Sequence, residues 1–164
     1  METLIIRQAV PADFPALRAL FRDTVLRVNC RDYTREEVED WAACAERVTP
    51  EAEPMRDQQV LVAETAAGLM EGFASVSAAG HLHMLFVHSA FQRRGVGTAL
   101  YARAEALARQ GGARVMTAEV SRTAKPFFER QGFRVDREQT RQARRLWLVN
   151  YAMSKRIGQA HPEA

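Results

Sequence analysis

The sequence predicts one α/β domain: a mixed sheet of about seven strands flanked by four helices. Short runs rich in β-branched residues alternate with longer runs whose apolar residues recur at helical spacing. A strand–helix–strand crossover over residues 81–120 requires parallel strands, whereas the runs before it are joined by short turns and indicate antiparallel neighbours. A chain of 164 residues is long enough for one such core and short for two.

The first half of the chain predicts one strand, two helices and then three strands. Residues 3–7 form a β-branched run, and Pro11 opens an amphipathic helix. Thr34 and Glu37 have the spacing of a capping box, which begins a second, shorter helix. Three strand-like runs separated by glycine-containing turns follow, and they predict an antiparallel meander at residues 59–65, 70–77 and 81–88.

The second half predicts two more helices and three more strands. Apolar residues at helical spacing begin at Val96 and stop at Gly111, where glycine ends the helix. Pro126 is acceptable only in the first turn of the next helix. The remaining strand-like runs are residues 114–120, 133–139 and 145–153. A single domain over residues 1–153 and a flexible tail at 154–164 are therefore expected.

Composition excludes several classes of protein. No apolar stretch approaches the roughly 20 residues of a membrane span, and the first residues do not resemble a leader peptide, so we expect a cytoplasmic protein without a membrane partner. The formal net charge of +3 suits an anionic ligand, but the basic residues are interleaved with 20 carboxylates, so we expect no nucleic-acid partner. Cys30 and Cys44 lack metal-ligand spacing, which predicts buried free thiols and no metal site.

A glycine-rich segment, QRRGVGT at residues 92–98, joins the predicted fourth strand to the next helix. The first amides of that helix have no intrahelical partners and together attract an anion. The two glycines let a pyrophosphate approach the main chain, and the two arginines add positive charge. The segment lacks the Lys-Ser/Thr of a Walker A loop and the third glycine of a dinucleotide fingerprint. A glycine-rich turn with solvated arginines is the alternative.

The same segment resembles the Q/R-x-x-G-x-G/A signature of the GNAT superfamily, the acetyl-CoA-dependent N-acetyltransferases. The order of elements over about residues 3–153 is similar to that family's, including a helix that ends FFERQGF. The resemblance implies that strands four and five splay apart to admit acetyl-CoA as a co-substrate. The CoA-binding residues that it implies are Leu85, Phe86, Val87, Arg93, Arg94, Gly95, Val96, Gly97 and Thr98.

Two residues are candidates for the base that takes the proton of the amine. His83 lies in the fourth strand, where period-two alternation predicts one face made of His81, His83, Leu85 and Val87. Its ordinary pKa of about 6.5 suits proton transfer at neutral pH. Glu119 lies late in the fifth strand, where a partly buried carboxylate would have a raised pKa. The residues alone do not decide between them.

The GNAT resemblance also implies an acid and an acceptor pocket. The family's usual tyrosine acid falls at Phe128, which cannot donate a proton, and core packing is the alternative role for this ring. Tyr33 and Trp41 are expected to line the acceptor pocket, with Asp32 or Glu37 holding the ammonium group. Core packing is the alternative role for Trp41. We expect transfer of acetyl from acetyl-CoA to a primary amine of a small molecule or a protein, by a monomer or homodimer. A GNAT-like module that binds acyl-CoA without turnover, and a nucleic-acid binder, are the rival hypotheses.

Overall fold

A computed structural model describes residues 3–53 and 55–158. Within these residues seven strands form one sheet in the order β1-β2-β3-β4-β5-β7-β6, with four α-helices. The strands are Leu4–Gln8 (β1), Gln58–Thr65 (β2), Met70–Ser77 (β3), His81–Val87 (β4), Val115–Ser121 (β5), Arg134–Gln142 (β6) and Trp147–Arg156 (β7). The helices are Phe14–Arg27 (α1), Arg35–Ala42 (α2), Val96–Gln110 (α3) and Lys125–Arg130 (α4). The predicted fold class is confirmed.

Two apolar clusters pack against the sheet, one on each face. The two long helices, α1 and α3, each bury a stripe of side chains, as expected of an amphipathic helix on a sheet, whereas the short α4 buries one ring. Leu100 of α3 and Phe128 of α4 belong to the first cluster. Leu17 of α1 and Val38 of α2 belong to the second. The sheet is therefore covered on both faces, with α3 and α4 opposite α1 and α2.

Helix α2 begins at the capping box that the sequence predicts. The amide of Glu37 donates to the Thr34 hydroxyl at 3.1 Å, and the Thr34 amide donates to Glu37 Oε1 at 2.9 Å. Each bond satisfies an amide that would otherwise lack a partner at the start of the helix. The cap fixes where α2 begins and so where Trp41, in its second turn, lies on the sheet.

Strands β4 and β5 are parallel neighbours that stay together only briefly. They pair through His81 with Thr117 and Leu82 with Ala118, and the pairing then stops. From this point β4 continues to pair with β3, while β5 pairs along its whole length with β7. The two strands therefore separate from His83 onward, and a gap opens within the sheet.

A β-bulge lies where the separation begins. Leu82 pairs with Val76 of β3, whereas Met84 pairs with Ser75, so β4 has one more residue than its partner between these pairs. The extra residue is His83. A bulge of this kind bends its strand and changes which face the following side chains occupy.

The bulge overturns one expectation from the sequence. Leu82, Leu85 and Val87 all pack against the cluster on the α3 side of the sheet. His81, which precedes Leu82, therefore lies on the opposite face from Leu85 and Val87. The prediction that His81, His83, Leu85 and Val87 share one face is wrong, because uninterrupted alternation does not hold across a bulge.

The domain extends past its predicted boundary at residue 153. Strand β7 continues to Arg156, and Ile157 is only 2% exposed. The amides of Ile157 and Gly158 both donate to the Arg114 carbonyl, at 2.8 and 2.9 Å. The first residues of the expected tail are therefore part of the fold, while residues 159–164 lie outside the described residues.

For the described residues, the structure also bears on the expectations about the two cysteines, clusters of metal-ligand side chains and membrane-spanning helices. Both cysteines are free, but only Cys44 is buried; Cys30 is exposed, contrary to expectation. In the described ranges, no group of three or more His, Cys, Asp and Glu side chains could hold a metal ion. None of the helices described is long and apolar enough to cross a membrane.

Gly72 of β3 is predicted to be intolerant of a side chain, because α3 packs directly on it. A Cβ there would lie 2.9 Å from the Phe86 carbonyl oxygen, 3.0 Å from Leu100 and 3.1 Å from Val96. We expect Gly72→Ala to lower the free energy of unfolding in urea by about 1–3 kcal/mol. Gly97→Ala is the control, since its Cβ would have only ordinary contacts, the nearest at 3.5 Å. Equal stability of the two variants would contradict this packing.

Candidate active site

The gap between β4 and β5 forms the first cavity, with a volume of about 490 Å³. Its walls come from β4, the end of β5, the start of α3 and one side of α4. Most of the predicted CoA-binding residues line it, namely Leu85, Phe86, Val87, Arg93, Gly95, Val96, Gly97 and Thr98. Arg94 is exposed and does not line the cavity; its guanidinium lies over the Phe91 ring at 5.6 Å.

The start of α3 presents free amides to this cavity. Gly95 caps the helix in the left-handed conformation, with φ 84°, which glycine adopts without strain. The first intrahelical bond runs from the Ala99 amide to the Gly95 carbonyl at 3.0 Å, so the amides of Val96, Gly97 and Thr98 have no helical partner. Free amides and the helix dipole make this end of the cavity favourable for an anion.

Gly97 keeps the cavity open between β4 and α4. A Cβ at this position would lie 3.6 Å from Val87 and 3.5 Å from Phe127. A side chain at this position would therefore fill the space between Val87 of β4 and Phe127 of α4. Gln92 is the first residue of the glycine-rich motif, and its side chain stabilises the loop. Its side-chain amide donates to the Val87 carbonyl at 2.7 Å and so connects the loop to β4.

A second cavity, of about 400 Å³, lies beside the first. One part of its wall is aromatic. Other parts carry charged and polar groups from β4, β5, β6, β7 and the segment between α2 and β2. Both predicted acceptor residues, Tyr33 and Trp41, line it. The residues that line both cavities are Trp41, His83, Met84, Phe86, Glu119 and Ser121. Both candidate bases therefore lie where the two cavities meet.

His83 is a half-buried imidazole whose pKa lies below its ordinary value. Burial is the main cause, because it disfavours the charged ring, and the nearby His81 lowers the pKa further. The two rings lie 6.4 Å apart, and Glu119 acts in the opposite direction by favouring the charged form. A lowered pKa leaves His83 neutral at physiological pH, with a nitrogen able to accept a proton.

Glu119 is ion-paired and not the partly buried carboxylate that the sequence suggested. Its Oε2 accepts a hydrogen bond from Arg141 Nε at 2.9 Å, and its side chain is 40% exposed. This carboxylate oxygen is therefore already engaged by a charged hydrogen-bond donor. Its proximity to His83 makes it a group that tunes the imidazole.

Tyr33 and Trp41 form an edge-on aromatic pair, with ring centroids 5.6 Å apart. The Tyr33 hydroxyl donates to the Val149 carbonyl at 2.6 Å and accepts from the Arg122 amide at 2.9 Å. It therefore joins the α1–α2 connection to β7 and to the segment after β5. Burial raises the pKa of this hydroxyl, which stays protonated. Tyr33 thus positions the wall, whereas Trp41 is half-buried and faces both cavities.

Phe128 is buried in the α3-side cluster, 5% exposed, with its ring 5.1 Å from Phe133. It also borders the first cavity, without a proton to donate. The hydroxyl at the junction belongs to Ser121, which the sequence analysis missed. Ser121 Oγ accepts from the Ala124 amide at 3.0 Å. Its spacing of two residues from Glu119 on a strand was the available signal.

Two arginines that the sequence analysis missed line the second cavity, Arg141 near the end of β6 and Arg47 after α2. Arg47 Nη2 donates to the Ala143 carbonyl, in the turn between β6 and β7, at 3.1 Å. The turn is held by Asp40 of α2, whose Oδ2 accepts from three consecutive backbone amides, of residues 144–146, at 2.8–2.9 Å. These contacts join residues far apart in sequence, so no local pattern announces them.

Comparison with known proteins gives the family. A family model described as the acetyltransferase (GNAT) domain matches residues 29–155. YafP of Escherichia coli, described as an uncharacterized N-acetyltransferase, is 33% identical over 93% of this chain and 96% of its own length. A crystal structure of a GCN5-related N-acetyltransferase from Rhodopseudomonas palustris is 32% identical, with a TM-score of 0.89 over 96% of this chain and 98% of that chain.

More distant structures share the fold. PaiA N-acetyltransferase from Thermoplasma acidophilum, in complex with coenzyme A, has a TM-score of 0.69 at 18% identity, over 94% of this chain and 99% of that chain. YncA from Salmonella typhimurium, with its cofactor acetyl-CoA, has a TM-score of 0.64 at 23% identity, over 99% of each chain. The matched domain and the two relatives above 30% identity agree with the prediction from sequence: this chain belongs to the GNAT family of acetyltransferases.

Proposed function

We propose that this acetyltransferase moves the acetyl group of acetyl-CoA to a primary amine of a small molecule or a protein. The observation that carries the proposal is the meeting of two cavities at His83, Glu119 and Ser121. A thioester held in the first cavity and an amine held in the second would have their reacting atoms at this junction. Holding both reactants in place removes much of the entropic cost of their encounter.

Acetyl-CoA would occupy the first cavity. Beyond Leu82, the β5-side edge of β4 has no strand partner in the described sheet, so the amides of the pantetheine arm can pair with it at residues 85–87. The Val87 carbonyl is excluded from this pairing, because it already accepts hydrogen bonds from Thr24 and Gln92. The pyrophosphate would accept hydrogen bonds from the free amides at residues 96–98, with Arg93 adding charge at the rim. PaiA and YncA, which share the fold, were solved with CoA and acetyl-CoA.

His83 is the base that we favour over Glu119. Its imidazole is neutral and stands at the junction, whereas the Glu119 carboxylate is committed to Arg141. The amine nitrogen attacks the thioester carbonyl carbon, His83 takes the proton of the nitrogen, and the carbon–sulfur bond breaks. The CoA thiolate leaves with the bonding electrons and takes a proton from solvent, and protonated His83 returns its proton to solvent, so the proton balance closes. A thiol with a pKa of about 8.5 is a fair leaving group, which suits a site with Phe128 at the acid position.

The location and assembly remain predictions. We expect a cytoplasmic monomer or homodimer, with no nucleic-acid partner, as the composition suggests. The rival function is a module that binds acyl-CoA without turnover, since Phe128 supplies no acid.

Turnover separates the two functions. We expect free thiol to appear from acetyl-CoA when the purified chain meets a panel of primary amines, and acetylated amine to accumulate in equal amount. The control omits the amine, which reports hydrolysis alone. Tight binding of acetyl-CoA without thiol release from any amine in the panel would instead favour the binding module.

The pyrophosphate site is tested at Gly97. We expect Gly97→Val to weaken acetyl-CoA binding by at least about tenfold, or 1.4 kcal/mol, because the branched side chain fills the space between Val87 and Phe127. Ala102→Val is the control, because it also introduces a valine into α3, at an exposed position outside the cavity. Calorimetric titration gives both affinities. An unchanged affinity in folded Gly97→Val protein would remove this site.

The base is tested by pH profiles. Protonated His83 cannot accept a proton, so turnover should fall as the pH drops through its lowered pKa, at a pH below the ordinary 6.5 or so of histidine. We expect His83→Ala to lose about 10²-fold or more in turnover and to lose this acidic limb. Glu119→Gln removes a charge that favours protonated His83, so its acidic limb should move to lower pH, with a smaller loss of turnover. A His83→Ala enzyme with full turnover and the original profile would assign the proton to water or another residue.

A further inference from the structure

The charges around the second cavity indicate what kind of amine it accepts. Two carboxylates line this cavity, and each already has an arginine partner. Glu119 is paired with Arg141, and Glu53 is paired with Arg56. The cavity therefore has no unpaired carboxylate among its described residues to bind an additional ammonium group. A polyamine, whose several ammonium groups need several carboxylates, does not fit this inventory.

Among the described residues, the positively charged side chains of the second cavity, unlike its carboxylates, are not all ion-paired. Arg47 lines the cavity and makes no ion pair with any described residue. Its only hydrogen bond among them goes from Nη2 to the Ala143 carbonyl, which leaves most of the five N–H groups of its guanidinium available. Burial lowers the pKa of both His81 and His83, so these rings add no fixed charge at neutral pH. The cavity therefore presents one unneutralised cation.

Another part of the wall is apolar and aromatic. The rings of Tyr33 and Trp41 lie 5.6 Å apart, and Trp41 and Phe21 both approach Phe86, at 6.4 and 4.9 Å. A guanidinium recognises a carboxylate through paired hydrogen bonds, and aromatic rings favour an apolar body. The volume of about 400 Å³ is that of a small-molecule site.

We propose that the acceptor is a small amino carboxylic acid with an apolar or aromatic body. Its carboxylate binds Arg47, its body packs on the ring of Trp41, and its amino group reaches His83 at the junction. This inference rests on the proposed transfer to an amine and narrows the acceptor to one chemical class. It predicts that removing the carboxylate from an acceptor lowers kcat/KM for that acceptor, although both compounds carry a primary amine.

The test compares amino acids with the amines obtained by removing their carboxylates. L-phenylalanine is paired with phenethylamine and L-tryptophan with tryptamine, and spermidine represents polyamines. We expect kcat/KM to be about tenfold or more higher for each amino acid, as hydrogen bonds between charged groups provide this much. Arg47→Gln should abolish the difference and Arg47→Lys should retain part of it. Arg35→Gln, an exposed arginine of α2 outside both cavities, should leave it intact.

The outcomes separate this inference from the proposed function. The inference is overturned if the decarboxylated amines or spermidine are better substrates than the amino acids. It is also overturned if Arg47→Gln keeps the preference for amino acids over decarboxylated amines. Either result leaves the proposed acetyl transfer intact. If no amine is acetylated, calorimetric titration of the same compounds into the CoA-loaded protein decides. Binding that depends on the carboxylate and on Arg47 would support the acceptor class while the proposed function fails. Equal binding, or none, would overturn the inference as well.

Discussion

The separation of β4 from β5 is the constraint on which the rest of the structure depends. The strands share only two residue pairs before each is held elsewhere, β4 by β3 and β5 by β7. Each strand therefore belongs to a ladder on the side away from the gap, and the first cavity lies between the two edges that face each other. The bulge at His83 lies where the strands part and places an imidazole at the entrance of the gap.

The elements around the gap are fixed by a few buried polar contacts. Asp40 accepts three amides of the β6–β7 turn, and these backbone hydrogen bonds lower the pKa of its carboxyl. Tyr33 joins the α1–α2 connection to β7 and to the segment after β5. These two residues hold the walls of the second cavity, while Gln92 holds the loop of the first. Rigid walls of this kind keep two reactants in register.

The sequence predicted what local patterns control. The capping box at Thr34, the glycine segment before α3 and the alternation of strands and helices depend on neighbouring residues, and each lies where expected. The bulge at His83 depends on the register with β3, which a single strand does not reveal. The pairing of Glu119 with Arg141 depends likewise on the β5–β7–β6 order. The sequence therefore identified His83, Glu119 and Trp41 as site residues but missed Ser121. It did not predict the ion pair of Glu119 or how exposed that side chain is.

The central claim is that CoA binds in the gap between β4 and β5, with its phosphates on the start of α3. Amide hydrogen exchange of the whole chain, with and without CoA, tests this claim residue by residue. The account predicts that CoA slows exchange at the amides of residues 85–87 and 96–98, which line the gap. Strand β6, at the far edge of the sheet, should be unchanged. Protection confined to other parts of the sheet, or no protection at CoA concentrations that saturate binding, would contradict the account.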